Sequence, residues 1–315
     1  MKIKIFTLAC LGMMMGFTSC NLDNDDSDNY TQIPYKMCSL VIPQNGDSYP
    51  TTSSYYLTVY PYSGSVSLGV NNLIIDGNKV DFATSKMSLT ENAYSYEDSN
   101  SFMVVRKFSG GTYSQNMVQV NGLSGFASEI IYLPPSNMVA NPLYPFTVNY
   151  PLVVQYTLNN EYTVKTFSPD AIYNGTTTVT TRSTNESFSD ENVAYRVFMK
   201  DGYKKADVVF YNGKFAQNMP AINFVVRDLD VVYTKTGYIV EKPADVAQIA
   251  PEMFEGGEYT PFPMYQFTRF LLNPTNDQLT EASIEYDIAR VVQGAVTENY
   301  TCRFVGNYVL DGPKK

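Results

Sequence analysis

Along nearly its whole length this chain alternates β-branched and aromatic residues with polar ones. Each such run closes within about ten residues at a Gly, Pro or Asn signal, a pattern that leaves little room for anything but short antiparallel strands. Tyr55 to Tyr62 is a clear case. Tyr55, Leu57 and Val59 point one way, and Tyr56, Thr58, Tyr60 and Tyr62 point the other. Pro61 cannot donate to a ladder, so it should end the strand or mark an edge. Ser65–Ile75 reads as the next strand, Asp76-Gly77-Asn78 as a turn, and Val80–Leu89 as the returning arm. Ser101–Phe108 should stop at Ser109-Gly110-Gly111, and Tyr113–Val120 at Asn121-Gly122. Strong helix periodicity is absent. Pro243–Phe254 alone invites a helical turn, with Pro243 suited to a first helical position and Pro251 forbidding a long helix.

The pattern divides the chain in two. A proline-punctuated stretch from Leu133 to Pro151 leads into a hairpin of Leu152–Leu158 and Tyr162–Phe167, turned at Asn159-Asn160. Beyond Ser168-Pro169-Asp170 a new series starts. It comprises Thr176–Thr181, Val193–Met199 with Ala206–Tyr211, Lys214–Met219, Ile222–Val226, Leu229–Tyr233, Met264–Leu272 with Ala282–Val292, and Thr301–Leu310. The expected organisation is all-β: an N-terminal β domain over 33–168 and a C-terminal β domain over 169–315, each barrel-like or a sandwich, with at most a short helical turn near 244–254. Many short antiparallel strands must hide their edges in one of those two ways. The halves also echo each other. Tyr162–Phe167 resembles Tyr300–Phe304, and Asn72–Asp76 stands where Asn212–Ala216 does, each about 140 residues apart, a plausible domain size.

Composition excludes several functions. A net charge of −9 argues against nucleic acid, which needs clustered Lys and Arg, and against docking on anionic lipid. With no His at all, Ser-His and Cys-His nucleophiles, His bases and His metal sites are ruled out. Trp, the usual stacking ring of sugar clefts, is also missing, which weakens a glycan reading without ending it. No CxxC pair occurs, so thiol redox chemistry and a Cys zinc site are not expected. Cys38 and Cys302 could bridge the two ends of the folded part in an oxidising envelope, or sit apart as buried thiols.

The N-terminus supplies an address. Lys2 and Lys4 precede an apolar run from Ile5 to Phe17, too short to span a bilayer, which ends in Phe17-Thr18-Ser19-Cys20. A Cys directly after such small residues resembles the lipobox of bacterial lipoproteins. That resemblance implies a signal peptide over 1–19, cleavage before Cys20 and lipid on its thiol, so that the bilayer is a partner through Cys20. The following Asn21–Asp28 is too polar to bury a core and should form a disordered tether over 20–32. Its Asp23, Asp25, Asp26 and Asp28 resemble the surface-export signal of Bacteroidetes lipoproteins, which implies the outer membrane with the protein facing the exterior. These carboxylates lack the Gly turn and closing Glu of a calcium loop. In the second half, Phe210–Pro220 followed by Ile222–Val226 resembles uncharacterised Bacteroidetes lipoproteins with calycin-like (lipocalin-like) barrels.

Candidate functional residues are few. Tyr56, Tyr60 and Tyr62 share one strand face, and Tyr259 and Tyr265 lie in an aromatic stretch interrupted by Pro261 and Pro263. Either set could stack on sugars or on a partner, or could be core. Asp228 with Asp230, and Glu255 with Glu258 around Gly256-Gly257, are the carboxylate pairs a glycan hydrolase would need, though an acidic surface produces such pairs freely. No catalytic residue, cofactor or metal is expected. Gly110-Gly111 and Gly256-Gly257 lack the Lys and helix of a phosphate loop. The reading is a non-enzymatic surface lipoprotein binding glycan, another small ligand or a protein. A fimbrial-type structural subunit and a hydrolase are the alternatives.

Overall fold

The computed structural model describes residues 30–60, 63–95, 101–132, 146–276 and 279–308. Tyr62, the whole leader with Cys20, and Asp23, Asp25, Asp26 and Asp28 lie outside the described residues. All regular structure among the described residues is β, and every pairing is antiparallel.

The first ring uses β1 (Thr31–Pro43), β2 (Tyr49–Tyr60), β3 (Ser65–Ile75), β4 (Asn78–Ala83), β5 (Met87–Ser95), β6 (Ser101–Gln115), β7 (Val118–Tyr132), β8 (Phe146–Leu158) and β9 (Tyr162–Phe167). Each strand pairs with its sequence neighbour, β3 meets β5 past the short β4, and β9 returns to β1, closing an eight-stranded up-and-down barrel. The second ring uses β10 (Asp170–Thr181), β11 (Ser187–Lys200), β12 (Lys205–Gly213), β13 (Ile222–Tyr233), β14 (Tyr238–Glu241), β17 (Tyr265–Pro274), β18 (Glu281–Val292) and β19 (Ala295–Tyr308). It closes in the same way, β19 to β10, with the β15 (Glu252–Glu255) and β16 (Glu258–Pro261) hairpin inserted before β17. Closure removes the open edges that antiparallel sheets otherwise expose.

The two rings are the same unit in register. Round the first, hydrogen-bonded neighbours run Tyr60, Ser65, Ser88, Ser109, Ser124, Gln155, Lys165, Leu40. Round the second they run Lys200, Lys205, Asp230, Glu241, Leu271, Glu285, Arg303, Thr178. On this alignment Tyr162 coincides with Tyr300, and Asn72 with Asn212. Both Asn residues sit at bulges with φ of 60° and 58°. Each backbone N–H is held by a side-chain oxygen across the strand, from Asp81 and from Asn223. A bulge conserved in place and chemistry marks a designed feature, so the structure reads as a tandem duplication.

Some local expectations are revised. β2 ends at Tyr60, the residue before Pro61, as one of the two expectations had it, but it is no edge, since it pairs with β1 and β3. Ser109–Gly111 is a bulge inside β6 rather than a turn, and the chain reverses at Asn116-Met117, both at positive φ. Lys214–Met219 is a loop that drops Phe215 into the barrel mouth, where it is fully buried. Residues 244–251 form turns and a bridge from Ile249 to Phe267, and 252–255 is strand, so no helical turn forms.

Side chains fill both rings. Tyr55, Leu57, Val66, Leu68 and Tyr156 lie inside the first, with Phe82 edge-on to Tyr156 at 5.4 Å. The second is packed with aromatics: Phe210 stacks on Phe224 at 4.1 Å, and Tyr195 meets Phe304 at 4.3 Å. Outward residues of β1, namely Cys38, Leu40 and Ile42, belong to the second ring's core together with Phe167. The wall of the first barrel is therefore the floor of the second. Lys235 pins this seam by donating to the carbonyls of Pro43 (2.5 Å) and Gly46 (2.7 Å), and Thr52 pairs with Tyr203 at 3.0 Å. Cys38 and Cys302 are separate buried thiols.

Candidate functional site

The most elaborate polar constellation lies on the outer wall of the second ring. Alternation sends Ala206, Val208 and Phe210 inward, and so Asp207 outward. Register slips between the pairs Ala206–Leu229 and Val208–Val226, leaving Arg227 and Asp228 bulged opposite Asp207. Asp228 takes φ +60°, and its N–H donates to Asp207 Oδ1 at 3.0 Å. Arg227 Nη1 reaches Asp207 Oδ2 at 3.2 Å, while its Nε donates to Glu252 of β15 at 2.7 Å. Lys200 bridges Asp207 and Asp228, 2.7 Å from each, and Lys205 pairs with Asp230 at 2.6 Å. The hydrogen bond from Lys200 holds the Asp228 carboxyl below its ordinary range. Burial opposes the charge on Lys200, but its bonds to Asp207 and Asp228 outweigh this and raise its pKa.

Beside this network is an open groove of about 400 Å³. Lys205, Arg227 and Asp228 form one wall; Pro243, Asp245, Val246, Gln248 and Ile249 form the other. The Tyr259 ring lies 5.6 Å from the Arg227 guanidinium and so backs one of the lining residues, without lining the groove itself. The groove thus offers paired charges, an amide and short apolar surfaces. It presents no net field for an ion and no raised-pKa carboxyl at Asp228 to serve as a general acid.

The other residues singled out from sequence fall elsewhere. Tyr56 and Tyr60 are half-buried on the outer face of the first ring. Tyr60 is held between the Tyr30 ring at 6.2 Å and Lys86 Nζ at 4.1 Å, and Tyr56 is flanked in register by Pro34 and Gly69. Tyr265 is buried inside the second ring, 4.8 Å from Phe215. Asp228 and Asp230 do not act together, since each is bound to a different lysine. Glu255 and Glu258 bracket the β15–β16 turn. Lys200, Asp207 and Glu252 had no sequence signal. Only the run Arg227-Asp228 inside an otherwise apolar strand hinted at a bulge.

No protein-family model and no curated protein matches the sequence. Similar solved structures include a protein with unknown function from Nostoc punctiforme PCC 73102, 8% identical, covering 87% of this chain and 95% of that one at a TM-score of 0.22. Two mutant forms of the vaccine antigen Transferrin Binding Protein B from Haemophilus parasuis Hp5 are 6% and 7% identical. They cover 88% of this chain and 76% of theirs, at TM-scores of 0.24 and 0.25. At such scores these likenesses carry no argument; the closed eight-stranded rings themselves define the class as an all-β barrel protein.

Proposed function

We propose that this chain is a non-enzymatic cell-surface lipoprotein, tethered through Cys20 and the acidic run Asp23–Asp28, that binds a neutral glycan in the groove between Arg227 and Gln248. The observation that carries this reading is the filling of both barrels. An eight-stranded ring has room for its own side chains or for one small ligand, and here aromatic side chains take the space. Recognition therefore falls to the exterior. Among the outer features, the groove combines hydrogen-bonding groups (Gln248, Asp245) with the short apolar surfaces of Pro243, Val246 and Ile249, and the Tyr259 ring backs Arg227. Strand donation, the basis of a fimbrial reading, needs an open strand edge; among the described residues each ring pairs its last strand with its first, and the unpaired outer edges at the ends of the sheets are those of the short β4 and β16.

The test is a glycan array probed with the mature chain, followed by calorimetry on any hit. Gln248→Ala should abolish retention while the fold is kept, and Tyr259→Ala, which removes the ring behind Arg227, should weaken it. An array without hits, or hits indifferent to both changes, would reject the groove as a glycan site.

A further inference from the structure

The second ring ends, away from the first, in elements the first ring lacks. In the first ring, β8 and β9 turn directly after the Leu158–Tyr162 pair, through Asn159, Asn160 and Glu161. The matching pair in the second is Ile288–Tyr300, and there the hairpin continues to a tip of Val291-Val292-Gln293-Gly294-Ala295-Val296. A turn needs no aliphatic residues, and solvated ones cost free energy. Yet Val292 and Val296 are 39% and 58% exposed. The Val291 N–H donates to the Met264 carbonyl at 2.8 Å, joining this tip to the inserted segment, where Met264 and Phe254 are also exposed.

We infer that this apolar crown docks a protein partner whose contact face is apolar and rimmed by Lys or Arg. Charge decides among occupants. Glu255 and Glu258 stand exposed at the tip of the β15–β16 hairpin; Glu298, at the foot of the β18–β19 extension, is taken up by Ser183 and stands opposite Arg290 in register, so it adds no free charge. A second copy would bring like carboxylates together on a chain already at −9. A bilayer surface favours basic rims instead. A basic-rimmed protein face complements both the apolar centre and the acidic border.

Two helical peptides with an identical Leu/Phe face, one flanked by Lys and one by Glu, serve as probes in fluorescence anisotropy with the full mature chain. The Lys-flanked peptide should bind and the Glu-flanked one should not. The double variant Val292→Asp/Val296→Asp should weaken binding at least about ten-fold. Glu255→Lys/Glu258→Lys, confined to an exposed turn, should reverse the preference between the peptides. Equal binding or no binding of both peptides, crown-dependent dimers in sedimentation, or crown-dependent retention on phosphatidylcholine–phosphatidylglycerol vesicles would overturn the inference. Glycan retention should be untouched by the valine changes, which separates this surface from the groove.

Discussion

At the scale of single residues, the duplication extends to buried hydroxyls. In the first ring Ser39 Oγ lies 2.6 Å from the Tyr55 hydroxyl, which lies 3.4 Å from that of Tyr156. In the second, Thr177, Tyr195 and Tyr286 occupy the matching positions, at 2.8 and 2.9 Å. All six are fully buried, so each hydroxyl depends on its partners. Burial pushes the Tyr195 phenol well up, so it remains a neutral donor at any ordinary pH. Tyr195→Phe removes the hydroxyl that Thr177 and Tyr286 share and leaves Tyr286 only its contact with Cys302. It should cost about 1–3 kcal/mol in urea unfolding, and adding Thr177→Val should cost less than a second equal loss. The Asp228–Lys200 pair makes a second residue-scale prediction. The folded pKa of Asp228 is depressed, so its contribution is present above the unfolded value and is lost as pH falls through the folded one. Asp228 is largely exposed, so solvent screening limits this to about 0–1 kcal/mol. The acid limb of the stability–pH curve below about pH 4 should flatten in Asp228→Asn, and an unchanged curve would mean the pair contributes nothing.

At the scale of elements, the strands depend on where the backbone is allowed to come close. β10 bulges between Gly175 and Thr177, and an added Cβ on Gly175 would stand 2.1 Å from the Val305 carbonyl oxygen of β19. The obstacle is backbone, which cannot rotate away. Gly175→Ala should therefore cost about 1–3 kcal/mol by overpacking and loosen the β10–β19 closure. Amide exchange should rise on β19 residues paired with β10 more than on β13. Uniform exchange would show that the ring absorbs the methyl group without opening.

At the scale of the whole molecule, the seam makes the barrels interdependent. Cys38, Leu40 and Ile42 project from the first wall into the second core, and Phe167 meets Tyr238 at 5.4 Å. The equivalent outward positions of the second wall are Thr176, Thr178 and Thr180. Thr178 and Thr180 bond to Ser189 and Ser187, so that wall is polar where the first is apolar. Leu40→Ala should cost about 2–5 kcal/mol. Leu40→Arg, which drives a charge into the seam, should split one calorimetric transition into two. A single transition at the wild-type temperature would show that the barrels do not need each other.

What the sequence determined by itself was local. Alternation sorted Tyr55, Leu57 and Val59 to one face, and all three are buried. Asn159-Asn160 marked a turn, and both take positive φ. The same rules failed at Gly110-Gly111, because glycine serves a bulge as readily as a turn, and at Asn116-Met117, where a lone Asn with no Gly or second Asn beside it gave a weaker signal than Asn121-Gly122. The β15–β16 hairpin hid behind Pro251 and Pro261, which argued against regular structure. The groove was barely legible: Tyr259 was noticed for its ring, but the bulge that sets Arg227 beside it and the lysines that neutralise Asp228 and Asp230 come from cross-strand register. Period-two alternation is written in adjacent residues, whereas ring closure, the paired tyrosines and the shared seam join residues up to about a hundred or more positions apart. Those contacts are decided by the free energy of closing and packing whole barrels, and that resides in the tertiary structure alone.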